Sequence, residues 1–596
     1  MVIAMSINLC FAFMAAAPGA AEQPIFTPAG EFGARIQAVL ERYGNQDIEP
    51  RFTDDFILAD VVLSPEYPRR FDNFSGDISG RFLGAVAMLP NPEQAGRLEG
   101  LVGEIAKCQR PDGRFGAMNL SFAAADIGPE NMALLWGNGR LLAGLMEYHQ
   151  YSGSPKALEC ARKLGDFLLG VYETCSEPDV AKRLEGQAAR GFICFTQLIE
   201  GLDMLWRATK DGRYLDTAKR IVPLLEPRGV QHSHGYLTTL RGYLMLYEST
   251  SDPAILAAAE RLYNELIAST DFLVYGGVLE YFGMKHDRDE GCSEADFLRL
   301  SLQLWQATGK TEYLELAERC MLNIFYSGQF ETGDFGHRRF GDAGYIPAEG
   351  AGRAWWCCTM HGHRALADVK NCVVTQDNTA ARINLFLEGT WSDGDTTLVL
   401  TRPGATDPQA PAFRVTVDKA PDAARAIGIR QPSWARDVSV RLNETETRPV
   451  LLAGYLIFER AWKSGDVIEL DWACTARLVQ PDGKVLRPQD LTDQPVKAAM
   501  YYGPWLLGVS DELDPYFHGE PWRENVIGLP AFIERPKAPV GPKGDPRIVE
   551  DAHVVVNYRH GGFPDPCTVT LRPISEQTPY RQPMVTVWLN FAKFAE

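Results

Sequence analysis

Positive charge is the first thing that this sequence lacks. Its 596 residues carry 59 Lys and Arg against 77 Asp and Glu, which gives a formal net charge of −18 at pH 7. Nucleic-acid phosphates and anionic membrane surfaces repel a chain of this charge, so neither is expected as a partner. The charge suits a soluble protein and leaves the fold open.

Several motifs and patterns are also missing. Beyond the N-terminus no apolar run reaches the length of a membrane span. The chain has no P-loop, no GxGxxG between a strand and a helix, and no GxSxG. Its twelve cysteines are scattered, unlike the framework of a small disulfide-stapled domain.

The overall composition is that of a globular protein, with 45% hydrophobic and 23% charged residues. A chain of 596 residues exceeds one ordinary core, so about two to four domains are expected. Residues 1–21 are an apolar run followed by small residues and resemble a signal peptide, although no Lys or Arg precedes the run. We predict export to the periplasm or beyond; if this segment is an ordinary apolar N-terminus or follows a mis-called start codon, the protein is cytoplasmic.

Residues 22–372 form the first predicted domain, and its pattern is helical. Pairs of amphipathic segments are separated by Gly, Ser or Asp turns near residues 152, 209, 250 and 308. A period of roughly 40 to 60 residues is long for a simple solenoid unit. It favours helical hairpins closed into a toroid with long loops on one face, and an open α-solenoid is the alternative.

The helical period stops after Cys372. Alternating and apolar segments separated by Gly, Asp and Pro then predict a β-sandwich over residues 373–480. Residues 481–596 are rich in Pro and Gly and predict a second, smaller β region. The sequence leaves open whether this region forms a homodimer contact.

Three cysteines and two glutamates stand out within the helical region. Glu280 precedes the triplet Glu290-Gly291-Cys292, and Cys357 and Cys358 are adjacent. Vicinal cysteines rarely bridge each other because the geometry is strained. Three thiols and a carboxylate match a tetrahedral zinc site, although the spacing is not that of a zinc finger. The alternative is three buried, inert core cysteines.

The same residues resemble glycoside hydrolase family 127, the β-L-arabinofuranosidases. That family has an E-A-F-G segment, then E-T-C, then C-C; here E-Y-F-G begins at Glu280, E-G-C at Glu290 and C-C at Cys357. Further similar segments are IRQPSWARDVSVRLN, GYLIFERAWKSGDVIELDW and VKAAMYYGPWLLGV, in the family's C-terminal β region. The resemblance implies an (α/α)6 toroid catalytic domain followed by β-sandwich domains.

The resemblance also implies residue roles. Glu290, Cys292, Cys357 and Cys358 would bind Zn²⁺, Cys357 would be the nucleophile, and Glu280 the general acid/base. Retaining glycosidases need such a pair, one group to protonate the leaving oxygen and one to attack. Coordination to zinc would deprotonate the attacking thiol. The alternatives are a structural ligand for Cys357 and a solvated loop carboxylate for Glu280.

Histidines near these motifs are candidates for substrate binding. His232 and His234 precede a predicted helix, and the resemblance implies a sugar-binding histidine here, for which we favour His234. The family has Pro and Asn soon after its C-C pair, whereas this chain has Thr359, Met360 and His361. His361 is therefore a candidate contact beside the nucleophile, and the departure leaves the sugar open.

Arg140 is a second departure, because the family has a histidine at this point of the segment WGNGRLLAG. Its guanidinium fork suits a carboxylate, so we hypothesise an acidic sugar, with a structural ion pair as the alternative. Trp136 and Tyr281 are candidates for stacking on a sugar ring, and core packing is the alternative. Further stacking candidates are Phe282, Trp355 and Trp356, and Asp72, Asn73 and Asp77 before an early helix could reach a sugar hydroxyl.

The sequence thus predicts a zinc-dependent retaining exo-glycosidase that releases a terminal β-L-arabinofuranose or a related, neutral or acidic, sugar from an oligosaccharide or glycan. A rival enzyme is another toroid hydrolase of acidic sugars, such as an unsaturated-uronide hydrolase, which needs neither the Cys pair nor a metal. A rival outside enzymes is a carbohydrate-binding protein with a structural zinc.

Overall fold

The computed structural model describes residues 24–65, 74–284, 287–347, 356–377, 380–405, 410–519, 521–530, 552–560, 566–576 and 584–594. The predicted signal peptide, residues 1–21, lies outside these ranges, as do Asp72, Asn73 and Trp355. In the described part of the chain, no helix combines the length and apolarity needed to cross a membrane.

Helices fill the described chain up to residue 372. Numbered in chain order, they are α1 Gly30–Arg42, α2 Asp54–Val62, α3 Asp77–Met88, α4 Pro92–Ala95, α5 Leu98–Cys108, α6 Pro129–Ser152, α7 Pro155–Cys175, α8 Pro178–Leu184, α9 Ile193–Thr196, α10 Ile199–Thr209, α11 Gly212–Ile221, α12 Ser233–Thr250, α13 Pro253–Ile267, α14 Gly291–Thr308, α15 Thr311–Cys320 and α16 Trp356–Cys372.

The four predicted turns are tight helix-to-helix connections. In each, the first helix ends at a residue with a left-handed backbone, namely Gly153, Lys210, Ser251 and Gly309. In three of them the next residue caps the following helix, its side-chain oxygen accepting a backbone N–H, namely Ser154, Asp211 and Asp252. A left-handed residue stops one helix, and the N-cap satisfies an otherwise unpaired donor of the next.

Six helices pack against one another in a closed cycle. In order these are α3, α6, α10, α12, α14 and α16, and α16 returns to contact α3. α7, α11, α13 and α15 pack outside α6, α10, α12 and α14 respectively. The inner helices are buried on almost every face, whereas the outer α11 buries one stripe, Tyr214, Thr217, Ala218 and Ile221. This difference separates inner from outer helices.

Two sheets follow the helices. The seven-stranded sheet has the order β1 Ile25–Pro28, β8 Gly389–Ser392, β9 Thr397–Thr401, β10 Phe413–Lys419, β16 Val467–Cys474, β12 Ala435–Leu442 and β13 Thr445–Glu446. The five-stranded sheet has the order β14 Val450–Leu452, β15 Tyr455–Arg460, β11 Arg425–Arg430, β7 Ala380–Ile383 and β6 Val374–Gln376. The N-terminal strand β1 pairs antiparallel with β8, Ile25 opposite Ser392, so the chain's first described segment belongs to this β region.

A third sheet has eleven strands, in the order β18 Val485–Leu486, β17 Ala476–Val479, β19 Val496–Tyr502, β25 Leu589–Ala592, β21 Val526–Gly528, β22 Val554–Arg559, β23 Cys567–Pro573, β20 Trp505–Ser510, β24 Val585–Thr586, β5 Gly344–Pro347 and β4 Arg338–Phe340. Its last two strands come from the connection between α15 and α16, so the helical region extends into the C-terminal sheet. A short pair, β2 Gln231–His232 and β3 Tyr281–Phe282, lies at the start of α12.

The contact between α3 and α6 depends on glycines. A Cβ on Gly80 would lie 2.3 Å from the carbonyl oxygen of Arg140, and one on Gly144 would lie 2.0 Å from the carbonyl oxygen of Gly80. Both obstacles are backbone atoms, which cannot rotate away. The two inner helices therefore approach each other as closely as they do because neither has a side chain there.

Gly80→Ala should lower the thermal unfolding midpoint, because the added methyl must force two inner helices apart, at a cost of about 1–3 kcal/mol for an overpacked core. The matched control is Gly100→Ala on α5, where nothing lies within 4 Å of the added carbon. The control should leave the midpoint unchanged or raise it, since alanine favours the helix. Equal midpoints for the two variants would contradict the close-packing account.

Candidate active site

The candidate metal ligands lie in the first turns of two neighbouring inner helices. Glu290 is the N-cap residue of α14, Cys292 lies in its first turn, and Cys357 and Cys358 lie in the first turn of α16. Ligand atoms of all four residues lie within 4.8 Å of one another, and the Sγ atoms of Cys292 and Cys358 are 3.9 Å apart. The packing of α14 against α16 therefore assembles residues more than sixty positions apart in sequence.

These donors fit Zn²⁺ well. The three cysteines form no disulfide, and thiolate sulfur and carboxylate oxygen are both donor types that Zn²⁺ binds, four of them completing a tetrahedral shell. Cys292 and Cys358 are fully buried, whereas Cys357 is half-buried. Cys357 is thus the most exposed of the three cysteines.

The charge distribution favours a thiolate at Cys357. Hydrogen bonds from the thiols of Cys292 and Cys358 lower the pKa of Cys357 well below its ordinary value, and the charge of Arg81 acts in the same direction. Burial raises the pKa of Cys292 and of Cys358. Arg81 lies close by, with Nη1 3.6 Å from the sulfur of Cys292. A helix N-terminus favours negative charge as well, and Cys357 is the second residue of α16.

Glu290 joins the thiol cluster to Glu280. An oxygen of Glu290 lies 3.0 Å from Nε2 of His232, and the side-chain atoms of His232, Glu280 and Glu290 fall within 4.8 Å of one another. Burial disfavours a charged Glu290, but the facing His232, together with the charges of His234 and His337, holds its pKa below the ordinary value. Glu290 is therefore the anionic member of the pair of carboxyl groups.

Glu280 has the opposite tendency. Burial raises its pKa, and the negative charge of Glu290 raises it further, against the opposing effect of His232 and Arg288. Nε of Arg288 donates to the Glu280 carboxylate over 2.7 Å, and the backbone of Glu280 bonds to Ser233 and Arg288. Two carboxyl groups with diverging pKa values are what an acid and an anionic ligand require.

Both predicted histidines, His232 and His234, lie next to the two carboxyl groups and the cysteines. His232 contacts Glu290, as above, and its ring lies 5.3 Å from that of Tyr281. His234 is fully buried and bonds through Nδ1 to Asp296 over 2.5 Å. His361 is also fully buried, and its ring lies 4.5 Å from the ring of His234. The structure thus brings His361 and His234 together.

The aromatic candidates differ in exposure. Trp136 is buried, donates from Nε1 to Asp77 over 3.0 Å, and meets His234 edge-on with ring centres 5.1 Å apart. Tyr281 is only partly buried. Asp77 also accepts a bond of 2.7 Å from Arg81. Asp77 therefore holds Arg81 in place and Trp136 packs against His234. Part of the Tyr281 side chain stays exposed, so a ligand could contact it.

Arg140 makes a different set of contacts from the one expected. It has no exposed surface; Nη1 donates to Glu200 over 3.0 Å and Nε to the side chain of Gln197 over 3.0 Å, while Nη2 also bonds Gln197. All three nitrogens are engaged in the protein interior. These contacts match the structural ion pair that the sequence left open, and the predicted sugar-binding role of Arg140 has no geometric support.

Sequence reasoning missed Arg81 and Asp296. Each follows a recognised candidate by four residues on a helix, Arg81 after Asp77 and Asp296 after Cys292. Residues four apart lie on the same helix face, so this spacing could have identified both. His361 stands in the same relation to Cys357.

Two family models match successive parts of the chain. A family model described as β-L-arabinofuranosidase, GH127 catalytic domain, matches residues 71–371, and the GH127 middle domain matches residues 380–474. No curated protein sequence matches the chain.

Solved structures share the fold over nearly the whole chain. A GH127 β-arabinofuranosidase is 16% identical with a TM-score of 0.69, covering 96% of this chain and 98% of its own. A GH127 β-L-arabinofuranosidase from Geobacillus stearothermophilus T6 is 16% identical with a TM-score of 0.69, covering 95% and 100%. A third, a glycoside hydrolase, is 18% identical with a TM-score of 0.66, covering 96% and 98%.

Purified protein should hold one zinc per chain by elemental analysis, and Cys292→Ala should hold far less, because it removes a buried sulfur donor. Cys160→Ala is the matched control, since Cys160 is equally buried but lies on the outer helix α7. The control should keep its zinc. Full zinc content in Cys292→Ala would show that the metal binds at another site.

Proposed function

Because this chain belongs to glycoside hydrolase family 127, we propose that it is a zinc-dependent retaining exo-glycosidase acting on a terminal β-L-arabinofuranose or a related sugar. One observation carries the proposal. A half-buried cysteine with a lowered pKa and a buried glutamate with a raised pKa lie at one cluster, joined by Glu290. That is the combination of nucleophile and acid that glycosidic cleavage needs.

The metal would be held by Glu290, Cys292, Cys357 and Cys358. When bound, Zn²⁺ would keep its sulfur ligands deprotonated at neutral pH and lower the basicity of the attacking thiolate. Among the chain's own groups, Arg81 beside Cys292 and the N-terminus of α16 act in the same direction. The half-buried position of Cys357 gives the sugar access to its sulfur.

The first step forms a bond from the Cys357 sulfur to the anomeric carbon. The bond from that carbon to the leaving oxygen breaks, and Glu280 gives its proton to this oxygen. In the second step Glu280, now a carboxylate, takes a proton from water. The water oxygen bonds to the anomeric carbon from the face opposite the sulfur, and Cys357 departs as a thiolate. Two inversions leave the configuration of the sugar unchanged.

The closed cycle of inner helices supports an (α/α)6 toroid as the catalytic domain. An open solenoid would lack the contact that returns α16 to α3. The seven-stranded and five-stranded sheets support a β-sandwich beside it. Export stays a prediction, because residues 1–21 lie outside the described part of the chain.

The two rival functions have less support. Binding of an acidic sugar needs a cation that the protein's own carboxylates do not already pair. Arg140 bonds Glu200 in the interior. Arg81 is paired with Asp77, and Arg288 is paired with Glu280. A purely structural zinc site does not explain why Cys357 is only half-buried or why the pKa of Glu280 is raised. A neutral terminal sugar is therefore the substrate that we propose.

Cys357→Ala should lower the rate of p-nitrophenol release from its β-L-arabinofuranoside by about a thousandfold or more, because the covalent route loses its attacking atom. Cys160→Ala should retain wild-type turnover. The thermal unfolding midpoints of both variants check that the fold survives. Turnover by Cys357→Ala close to that of the wild type would exclude the cysteine as nucleophile.

Glu280→Gln should lower kcat/KM far more for a β-L-arabinofuranosyl disaccharide than for the p-nitrophenyl glycoside. This parameter reports the first irreversible step, and p-nitrophenol leaves with little help from an acid. In the wild type, kcat/KM for the disaccharide should fall as pH rises through the pKa of Glu280. Since that pKa is raised, the decline should begin above the ordinary range of a glutamate. Equal losses on both substrates would argue against Glu280 as the acid.

A further inference from the structure

Three buried side chains form a row directly behind the thiol cluster. His234 belongs to the first turn of α12, Asp296 to α14 and His361 to α16, and none has exposed surface. These are the helix that follows the His232 strand and the two helices that carry the candidate zinc ligands. Nothing in the catalytic steps above uses the three residues.

Asp296 is the fixed acceptor in this row. Its Oδ2 lies 2.5 Å from Nδ1 of His234 and accepts the hydroxyl of Thr238 over 2.8 Å. Its Oδ1 accepts Nη1 of Arg241 over 3.0 Å, and Arg299 lies 3.8 Å away. A carboxylate between two arginines and two further donors is anionic, so it requires a proton on Nδ1 of His234.

The other ring nitrogens lack a hydrogen-bond partner in the described part of the chain. Nε2 of His234 and both nitrogens of His361 are buried and make no hydrogen bond among the described residues. Leaving such groups unpaired in the interior costs free energy. With the proton of His234 on Nδ1, its Nε2 is an acceptor. The ring of His361 lies edge-on to it with ring centres 4.5 Å apart, and Nδ1 of His361 is 3.8 Å from Oδ1 of Asp296. His361 is therefore the nearest group that could bring an N–H to this acceptor.

The three residues are also close enough to hold a metal ion. The surrounding charge argues against one. Both oxygens of Asp296 already accept donors, Arg241 and Arg299 flank it, and Arg81 adds a third cation whose field reaches both histidines. A second divalent cation would meet this positive field with no free carboxylate oxygen.

We propose that Asp296 is a positioning residue: it fixes the proton of His234 on Nδ1, so that Nε2 accepts an N–H from His361. This relay joins the first two turns of α12, α14 and α16. His361 lies one helical turn after Cys357 on the same face of α16, so the relay holds the turn that carries the nucleophile. The kinetic consequence rests on the proposed function, whereas the hydrogen-bond relay itself does not.

The test is nitrogen NMR of the zinc-loaded full chain labelled with ¹⁵N in the rings of its ten histidines, with His234→Gln to assign the signal. The wild type should show His234 protonated at Nδ1, with that proton far downfield, and an unprotonated Nε2. Asp296→Asn should lose the downfield proton. A wild-type His234 protonated only at Nε2, or a second zinc per chain, would overturn the proposal.

Asp203→Asn is the matched control, because Asp203 is also fully buried and paired with an arginine, Arg207, but lies on α10 outside the row. It should leave the His234 signal unchanged. His361→Phe keeps a ring at that place and removes its N–H, so it should shift the Nε2 signal and keep the Nδ1 proton. This variant decides the relay if Asp296→Asn does not fold, and an unmoved Nε2 signal would refute it.

With an active wild type, Asp296→Asn should lower kcat by about tenfold to a hundredfold, the range for residues that orient active-site ligands. KM should change by less than about threefold, because Asp296 does not contact the sugar, and Asp203→Asn should keep wild-type kcat. An unchanged kcat in Asp296→Asn would refute the positioning role. If the wild type fails to hydrolyse the glycoside, the proposed function fails, and the NMR result still decides the relay.

Discussion

Buried negative charge is the constraint on which the site depends. Glu290, Asp296 and the thiol cluster sit in the interior, where an unpaired anion is very costly. The structure compensates each one locally: His232 faces Glu290, Arg241 bonds Asp296, and Arg81 approaches the cysteines. Burial raises the pKa of both Glu280 and Glu290, and the charges that face them separate the two: histidines hold the pKa of Glu290 down, and the charge of Glu290 raises that of Glu280. The two carboxyl groups thereby have two different tasks.

The fold serves this constraint by bringing helix N-termini to one place. Residues of the first two turns of α3, α12, α14 and α16 contact one another around the site, and close packing of the inner helices fixes their positions. The C-terminal sheet assists, since the segment before α16 pairs into it as β4 and β5. Asp289, next to the ligand Glu290, accepts the backbone N–H of Arg338 in β4 over 2.5 Å. The β regions thus support the ligand loop directly.

The departures from the family pattern have different meanings in three dimensions. Arg140 looked like a cation for an acidic sugar, but it bonds Glu200 and Gln197 inside the helix cycle. His361, a second departure, lies beside His234 and behind the nucleophile. A substitution in a motif therefore changes specificity or only internal packing, and the partner that the side chain meets decides which. That partner comes from another helix, which the sequence of the motif does not contain.

The sequence by itself determined the helical hairpins, the change to strands after Cys372, the family and the four zinc-ligand candidates. These follow from local rules: helical period, capping residues in tight turns, and ligand types concentrated in short motifs. The tertiary structure alone decided that β1 pairs with β8, that Arg140 is an internal ion-pair partner, that Cys357 is the most exposed of the three clustered cysteines, and that Asp296 bonds His234. Each of these depends on contacts between segments far apart in the chain, and burial and charge compensation are properties of such contacts.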